Sequence, residues 1–405
     1  MRVAYLCRVL WNGGVQRTAI AATEGLQALG YDVELIFLRR TSDANYSLPR
    51  GTIVTEAPAN SSPITRAQQA ITSLFAGHRG IDATVDLDRL WAVRDLVAEF
   101  DVVIYNDQYA SLLGIWNYIW GRRPYVMMLH EFYPKVASGW MSFLLNPFAD
   151  LLDWFCILLA PAVVTTSVKT LNRLDRVVPG RSVLARLGSP TVSAPIPDSS
   201  IRDRRTVLSI TVWDRGRHPE MYVALAQCCP EFHFILAGIW ADRHHFESVK
   251  SEASGVPNLT ITGPITEDER QRIQDRALLY LRYGFDEAGP GMGGLEALAK
   301  GSIVICNRGL GLSEIIEDGK SGFILNAADV AETATLFRKI DCLSDEQISQ
   351  ISAAARQVAQ TNSWEAHCRV LAEAIQHAYL RRRFKWRRNH SKDKPPPIDL
   401  PRSTK

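Results

Sequence analysis

Short apolar runs alternate with longer amphipathic segments along most of the chain, and this alternation predicts a parallel α/β fold. The seven runs of the first half that we interpret as strands are Val3–Leu6, Asp32–Leu38, Thr52–Thr55, Asp101–Tyr105, Tyr125–Leu129, Ala162–Thr165 and Val183–Leu187. The six runs of the second half are Val207–Thr211, Phe232–Ala237, Leu259–Thr262, Leu278–Arg282, Ile303–Cys306 and Phe323–Leu325. Two such series predict two Rossmann-like, doubly wound domains that face each other across a cleft.

The boundaries of these domains follow from changes in composition. Residues 191–205 are rich in proline, serine and charge, which favours a linker. Residues 1–190 then form the first domain and 206–362 the second. Helical spacing over 363–380 predicts a terminal helix that packs back toward the first domain, and 381–405 is expected to be a basic, flexible tail.

The densest cluster of glycines follows the apolar run that ends at Arg282. Glycines between a strand end and a helix N-terminus let the backbone approach a phosphate, and the helix dipole favours the anion. The residues expected to contact a donor here are Gly291, Met292, Gly293, Gly294, Leu295 and Glu296. Carboxylates beside a phosphate site suit hydroxyl groups, since they only accept hydrogen bonds. Together these features indicate a nucleotide-sugar site.

The run 296–301, Glu-Ala-Leu-Ala-Lys-Gly, resembles the donor site of retaining GT-B glycosyltransferases of family 4. That family carries a first glutamate eight positions before the one that matches Glu296. Here that position is Ala288, and Glu287 lies one residue earlier. Either the loop has a one-residue insertion and Glu287 takes the role, or the first acid is lost. The run 314–323 is also typical of the family.

The resemblance implies a GT-B fold and roles for residues near the first-domain strand ends. Gly13 and Gly14 would face the donor phosphates, although a plain turn also explains them, and Arg17 would face the acceptor side. His130 would hydrogen-bond the donor sugar, whereas a structural histidine is the alternative. Glu131 follows it and is assigned to the acceptor side.

Two further segments come from the second domain. The resemblance implies cations after its first strand that neutralise the diphosphate leaving group, and Arg215 and Arg217 are the candidates. Helix capping or a surface position is the alternative for both arginines. Gly263, Pro264 and Ile265 would lie against the nucleotide base and read it through backbone groups.

The implied reaction is retaining hexosyl transfer by front-face attack of the acceptor hydroxyl, with the leaving diphosphate taking the proton. Glu287 would orient the sugar and Glu296 the ribose. No Asp-x-Asp motif follows a strand at a suitable place, so we expect no metal and no cofactor beside the nucleotide-diphosphate sugar co-substrate.

Composition narrows the class of protein. The 405 residues, with 46% hydrophobic residues and a net charge of +3, are typical of a globular two-domain chain. The seven cysteines lack metal-ligand spacing and fit buried thiols in a reducing cytoplasm. The N-terminal MRVAYLCRVL is interpreted as a first strand and not as a signal peptide.

The segment 140–164 is unusually apolar, but its prolines and aspartates argue against a transmembrane helix. Burial in the first domain explains part of this apolar character, and contact with a membrane interface explains the rest. The tryptophan-rich segment Leu112–Trp120, ahead of two arginines, would flank it.

The segment 381–388 carries six basic residues in eight, interleaved with Phe384 and Trp386. This pattern suits an anionic lipid surface. A solvated tail is the alternative, and nucleic acid is not expected as a partner because the rest of the chain has no basic patch. We therefore expect a peripheral enzyme on the inner face of the cytoplasmic membrane. Its acceptor would be a glycan or a polyprenyl-linked chain, in polysaccharide or glycolipid assembly.

Two other functions share this architecture. A degenerate GT-B scaffold would bind nucleotide-sugar or a partner without transfer, and the displaced acid near Ala288 favours it. A sugar-nucleotide epimerase also has two such domains, but the run at Glu296 is more typical of transferases.

Overall fold

The chain forms two parallel α/β domains. A computed structural model describes residues 1–11, 13–41, 46–55, 87–121, 123–130, 151, 153–189, 202–284 and 289–388. The fold class predicted from the sequence is confirmed, because each domain contains one parallel sheet with helices on both faces.

The first sheet has seven parallel strands in the order β3-β2-β1-β4-β5-β6-β7. Its strands are β1 (Arg2–Leu10), β2 (Asp32–Arg40), β3 (Ile53–Val54), β4 (Val102–Tyr105), β5 (Tyr125–Leu129), β6 (Ala162–Thr165) and β7 (Ser182–Leu184). The helices are α1 (Gly14–Ala28), α2 (Leu87–Ala92), α3 (Arg94–Val97), α4 (Ser111–Gly121) and α5 (Val168–Asp175), with a further helical run over 153–159. The central strands are buried on both faces, which explains their continuous apolar runs.

The second sheet has six parallel strands in the order β10-β9-β8-β11-β12-β13. Its strands are β8 (Asp203–Ile210), β9 (His233–Ala237), β10 (Leu259–Gly263), β11 (Ala277–Arg282), β12 (Ile303–Asn307) and β13 (Phe323–Leu325). Its helices are α6 (Pro219–Cys228), α7 (Arg243–Glu252), α8 (Glu267–Arg276), α9 (Met292–Lys300), α10 (Val330–Asp341) and α11 (Asp345–Thr361), and single 3-10 turns cover Arg215–Arg217 and Gly311–Glu314.

The expected linker 191–205 is too long at its second end, because β8 already begins at Asp203. The charges that suggested a linker have partners in the second domain. Arg205 Nη2 lies 2.9 Å from Asp341 Oδ2, and Arg204 Nη1 donates to Leu343 O at 3.0 Å. In the sequence, these charged residues at the start of β8 were therefore mistaken for part of the linker.

The last helix, α12 (Trp364–Arg388), crosses back onto the first domain, where its buried residues join those of α1 and the sheet. Cys368 Sγ donates to Ala22 O at 3.6 Å. A Cβ at Gly188 would lie 2.4 Å from Trp364 N, so this crossing requires glycine. The expectation of a flexible tail from 381 onward is wrong for residues 381–388, which continue the helix. Arginine and lysine are good helix formers, so a helix that is already nucleated extends through them.

Candidate functional site

Two helix N-termini meet between the domains. Helix α1 begins at Gly14 and α9 begins at Met292, and a Cβ at Gly14 would lie 3.7 Å from Met292 Cγ. The first N–H groups of each helix have no intrahelical acceptors, and both dipoles present positive potential. The place where the two termini converge is therefore suited to an anion such as a diphosphate.

The glycines at the start of α9 also have a packing role that sequence reasoning missed. A Cβ at Gly293 would lie 2.7 Å from Ile210 O, and one at Gly294 would lie 2.7 Å from Leu312 Cδ2. Gly291, just before the helix, has φ +69°, a conformation that favours glycine. These positions bring α9 close to the sheet and thereby set where its N-terminus points.

Glu296 lies one turn into α9 and is almost fully buried, with 3% of its surface exposed. Its Oε1 is 2.6 Å from Arg17 Nη2, and its Oε2 accepts from Gln274 Nε2 at 2.9 Å and pairs with Arg270. Burial by itself raises the pKa of Glu296, but the charges of Arg17 and Arg270 outweigh it and leave the pKa below its usual value. The carboxylate is therefore ionised and held by ion pairs with Arg17 and Arg270 and by a hydrogen bond from Gln274.

This cluster joins the two domains, since Arg17 belongs to α1 whereas Arg270 and Gln274 belong to α8. Oε1 contacts Arg17 as an ion pair but accepts no hydrogen bond of good geometry among the described residues, so it can still accept one from a hydroxyl. Arg17, which we expected on the acceptor side, lies instead against the carboxylate expected to bind ribose. A ribose at Glu296 would share this carboxylate with Arg17 or displace it.

A small pocket lies beside the Arg17–Glu296 pair. Its volume is about 180 Å³, and its lining residues are Arg17, Ile20, Ala21, Tyr46, Met292 and Trp364. Ligand clefts usually measure roughly 300–1,000 Å³. The pocket thus has room for part of a nucleotide-sugar only.

His130 follows β5 at the carboxyl edge of the first sheet. Its Nε2 is 2.9 Å from Asn106 Oδ1, which also accepts from Tyr5 Oη at 2.9 Å. Asn106 Nδ2 donates to Val15 O at 3.3 Å, and this contact settles which way the amide faces. Because Asn106 Oδ1 can only accept, His130 Nε2 carries the proton.

The charge state of His130 follows from its surroundings. Its pKa is lowered to about 4, mainly by burial and also by the neighbouring His367, whereas Asp107 opposes the shift. The ring is therefore neutral near pH 7, and Nδ1 is left as an acceptor. Such a ring can accept a hydrogen bond from a sugar hydroxyl, but it does not donate a proton from Nδ1.

The remaining donor-side candidates lie at loops after second-domain strands. Arg217 Nη1 is 2.6 Å from Asp214 Oδ2, so this cation is already paired. Arg215 is exposed, and its side chain has no partner among the residues that the structure describes. Gly263 ends β10 with φ +69°, and Pro264 and Ile265 lead from it into α8.

Two site candidates lie outside the described residues. Glu131 and Glu287 both belong to segments for which the structure gives no placement. The alternatives for the first acid of the motif, insertion or loss, therefore stay predictions.

A second contact between the domains involves Glu314. Its carboxylate accepts from Val168 N at 2.9 Å and from Lys169 N at 3.1 Å, so a second-domain acid caps the N-terminus of α5 in the first domain. A carboxylate in this place is favoured by the helix dipole. It is a second polar contact between the two domains, separate from the Arg17–Glu296 pair.

Sequence reasoning missed several residues of the site: Tyr5, Asn106, Arg270, Gln274 and the capping role of Glu314. Part of the signal was present, because Arg270 and Gln274 are four apart and share one helix face. Asn106 directly follows an apolar strand, as His130 does. Nothing in the sequence pairs these residues with Glu296 or His130.

The described ranges contain neither a candidate metal site nor a candidate membrane-spanning helix. No group of three or more His, Cys, Asp or Glu side chains there is placed to hold a metal ion. Among the same residues, no helix combines the length and apolar character needed to cross a bilayer.

Comparison with known families matches both domains. Residues 12–184 match the family described as Glycosyltransferase Family 4, and residues 220–341 match the family described as Glycosyl transferases group 1. A comparison with curated proteins found no significant match.

Solved glycosyltransferase structures share the fold along almost the whole chain. Alr3699/HepE from Anabaena, in complex with UDP and glucose, has a TM-score of 0.69 at 15% identity, covering 93% of this chain and 99% of its own. Sucrose-phosphate synthase from Thermosynechococcus elongatus gives 0.74 at 16% identity, covering 94% and 99%. WaaG, a glycosyltransferase involved in lipopolysaccharide biosynthesis, gives 0.68 at 16% identity, covering 92% and 99%. These likenesses establish the GT-B arrangement of the two domains.

Proposed function

We propose that the protein transfers a sugar from a nucleotide-sugar to a glycan or lipid-linked acceptor. The first domain matches Glycosyltransferase Family 4, the second matches Glycosyl transferases group 1, and together they form a GT-B fold. The observation that carries the proposal is the convergence of two helix N-termini at Gly14 and Met292, one turn from the buried carboxylate of Glu296. Phosphate groups suit the former and ribose hydroxyls the latter.

The donor would lie across this junction. Its diphosphate would face the first turns of α1 and α9. The exposed Arg215, in the loop after β8, would supply positive charge. Gly263, at the end of β10, faces the base. His130 Nδ1 accepts a hydrogen bond from a hydroxyl of the sugar, which fits its neutral state. Since the Anabaena structure contains UDP, UDP-sugars are the first donors to test.

The proposed reaction retains the anomeric configuration. The bond between the anomeric carbon and the diphosphate oxygen breaks, and a bond to the acceptor oxygen forms on the same face. The acceptor proton passes to the departing phosphate oxygen, and helix N-termini and arginines stabilise the negative charge on that group. Glu287 would orient the sugar, and no metal ion is required. Proton NMR of the product tests retention, because an inverted anomeric coupling would refute it.

We place the protein in the cytoplasm, at the inner face of the cytoplasmic membrane. There it would act on a polyprenyl-linked or glycolipid acceptor during polysaccharide assembly. The relation of WaaG to lipopolysaccharide biosynthesis supports an acceptor of this kind. An acceptor panel of soluble oligosaccharides and lipid-linked sugars, with transfer followed by mass spectrometry, distinguishes the two.

A thermal-shift screen tests the donor site directly. UDP-, GDP-, ADP- and dTDP-sugars are compared with and without EDTA, on wild type, Glu296→Ala and Gly14→Ala. We expect one nucleotide to raise the melting temperature, with no effect of EDTA and with loss of the shift in both variants. A shift that persists in both variants contradicts the proposed site, and a shift abolished by EDTA contradicts metal independence.

A second candidate is a scaffold that binds nucleotide-sugar without transferring it. One observation favours it: Arg17 and Arg270 already hold the Glu296 carboxylate that a ribose would use. Release of free nucleotide in the presence of donor and acceptor separates the two functions. Binding without any nucleotide release supports the scaffold, whereas turnover that falls in Glu296→Ala supports the transferase.

A further inference from the structure

Exposed large apolar side chains are unevenly distributed between the two domains. All of those in the described residues belong to the first domain or to α12, and the described second-domain ranges, 202–284 and 289–361, contribute none. Most come from three helical segments, α2, α4 and 153–159, and from Leu151 just before the third. Isolated exposed apolar residues are ordinary, but a contiguous group indicates a binding surface.

Three tryptophans form the centre of this group. The rings of Trp91 and Trp116 have centroids 5.1 Å apart, and those of Trp116 and Trp120 are 5.6 Å apart. Despite these contacts, the three residues remain 48%, 42% and 71% exposed, respectively. They form a row on the protein surface and not a buried core.

The three helical segments share one face of the first sheet. Their inner residues, including Leu90, Leu113 and Ile157, belong to one buried cluster on that face. Their outer sides therefore lie next to each other. We call this outer surface the tryptophan face; its exposed residues are Trp91, Trp116, Ile119, Trp120, Leu151, Phe155, Leu158 and Leu159.

The basic end of α12 leaves the domain at the edge of the tryptophan face. Arg381 donates to Pro161 O at 3.4 Å and to Gly180 O at 3.3 Å, and Arg181 donates to Leu158 O at 2.9 Å. The helix then continues through residues 381–388, which contain six basic residues. A run of positive charge thus begins where the exposed leucines of 151–159 end.

Further cations lie within the face and beside it. The Arg94 guanidinium is 4.7 Å from the Trp91 ring centroid within the face, and beside the face the Arg173 guanidinium is 5.0 Å from the ring of Trp154, the residue before Phe155. The acid beside Arg94, Asp95, is already paired with it at 2.9 Å. Aromatic rings with arginines at their edge match the interfacial layer of a membrane, where rings enter the headgroup region and cations meet lipid phosphates.

We propose that the tryptophan face and the basic end of α12 together bind an anionic membrane surface. A second copy of this chain fits less well, because a symmetric contact through the same face would bring two basic segments together, whereas anionic lipid neutralises them. The inference deepens the peripheral membrane association in the proposed function and rests on it for its biological use. It specifies the residues that enter the interface.

Flotation with lipid vesicles tests the surface on the full chain. Vesicles of phosphatidylcholine alone are compared with vesicles containing about 30 mol% phosphatidylglycerol, a composition chosen because anionic lipid attracts basic segments. The wild type is expected to float with the anionic vesicles and to be released by high salt. The variant Trp120→Ser is expected to partition about tenfold more weakly, equivalent to 1.4 kcal/mol. The control is Leu29→Ser, an exposed apolar position just after α1, on the opposite side of the sheet.

Each result decides the proposal. Equal flotation of Trp120→Ser and Leu29→Ser overturns it, and so does equal flotation of a variant with Arg387 and Arg388 changed to Glu. Absence of flotation together with a dimer that Trp120→Ser dissociates, measured by sedimentation velocity, would assign the face to a second copy instead. Donor binding is measured without vesicles, so failure here leaves the proposed transfer reaction untouched, and failure of donor binding leaves the membrane surface untouched.

Discussion

Replacing Glu296 with Gln tests whether the buried carboxylate holds the two domains together. The substitution keeps the shape of the side chain and one acceptor oxygen but removes the negative charge. Arg17 and Arg270 then face each other without their shared counter-ion. We expect a large loss of stability from a change that adds no bulk.

The magnitude follows from burial. The side chain of Glu296 is 4% exposed, that of Arg270 13% and that of Arg17 27%. Breaking a buried ion pair by removing one partner costs about 3–5 kcal/mol. Because Arg17 is partly solvated and the amide oxygen remains, we expect about 2–3 kcal/mol. For a domain of this size that is a decrease in Tm of roughly 5–10 °C.

The assay is thermal and urea unfolding near neutral pH, with Glu317→Gln as the control. Glu317 also forms an ion pair, with Lys320 Nζ at 2.9 Å, but both side chains are exposed, so its loss should cost less than about 1 kcal/mol. A double-mutant cycle with Arg17→Met isolates the contact between the domains, for which we expect a coupling of about 1–2 kcal/mol. Equal effects of the two glutamine variants, or a coupling near zero, would refute the reasoning.

The same carboxylate predicts a pH dependence. Its pKa in the folded protein lies below its usual value of 4.5, so its contribution is complete above that pH and is lost as the pH falls through the folded-state pKa. Acid unfolding of the wild type should therefore be steeper below about pH 4.5 than that of Glu296→Gln. Parallel curves would show that this group does not contribute.

Three other changes give separate tests. Gly14→Ala should change stability by less than about 0.5 kcal/mol, because the added Cβ meets only Met292 Cγ at 3.7 Å. The same change should weaken donor binding, measured by calorimetry. Unchanged binding would show that the phosphate site lies elsewhere. Glu314→Ala removes the two hydrogen bonds that this carboxylate accepts from the first turn of α5, while the N-cap Ser167 remains. The change should cost about 1 kcal/mol, with domain opening visible in small-angle scattering. An unchanged radius of gyration would contradict a clamping role. Burial is the main reason that the pKa of His130 is lowered from 6.5 to about 4. The unfolded chain therefore binds a proton at this histidine more readily than the folded protein does. The free energy of unfolding should decrease by about 2 kcal/mol as the pH falls from about 8 to about 5. The variant His130→Gln should lack that loss, and an equal loss in both proteins would refute the assigned charge state.

Most of the fold could be predicted from the sequence because its signals are local. All thirteen predicted strands are present, since each is a short apolar run, and the central strands of the two parallel sheets are buried on both faces. The start of α9 was also recognisable, because glycines before a helix have a local conformational cause. The end of α12 was not, since the same basic run is compatible with a solvated tail and with a helix that is already nucleated.

The sequence by itself determined the two parallel α/β domains and the glycine-rich helix starts, and it singled out Glu296 as a candidate donor-site carboxylate. Only the tertiary structure decided that Arg17 reaches that carboxylate across the domain boundary, that Asn106 fixes the proton of His130, and that Trp91 joins Trp116 and Trp120 in one exposed row. The physical reason is sequence separation. Hydrophobic period and turn chemistry act over a few residues, whereas these contacts join residues 24 to 279 positions apart, and chain folding alone brings them together.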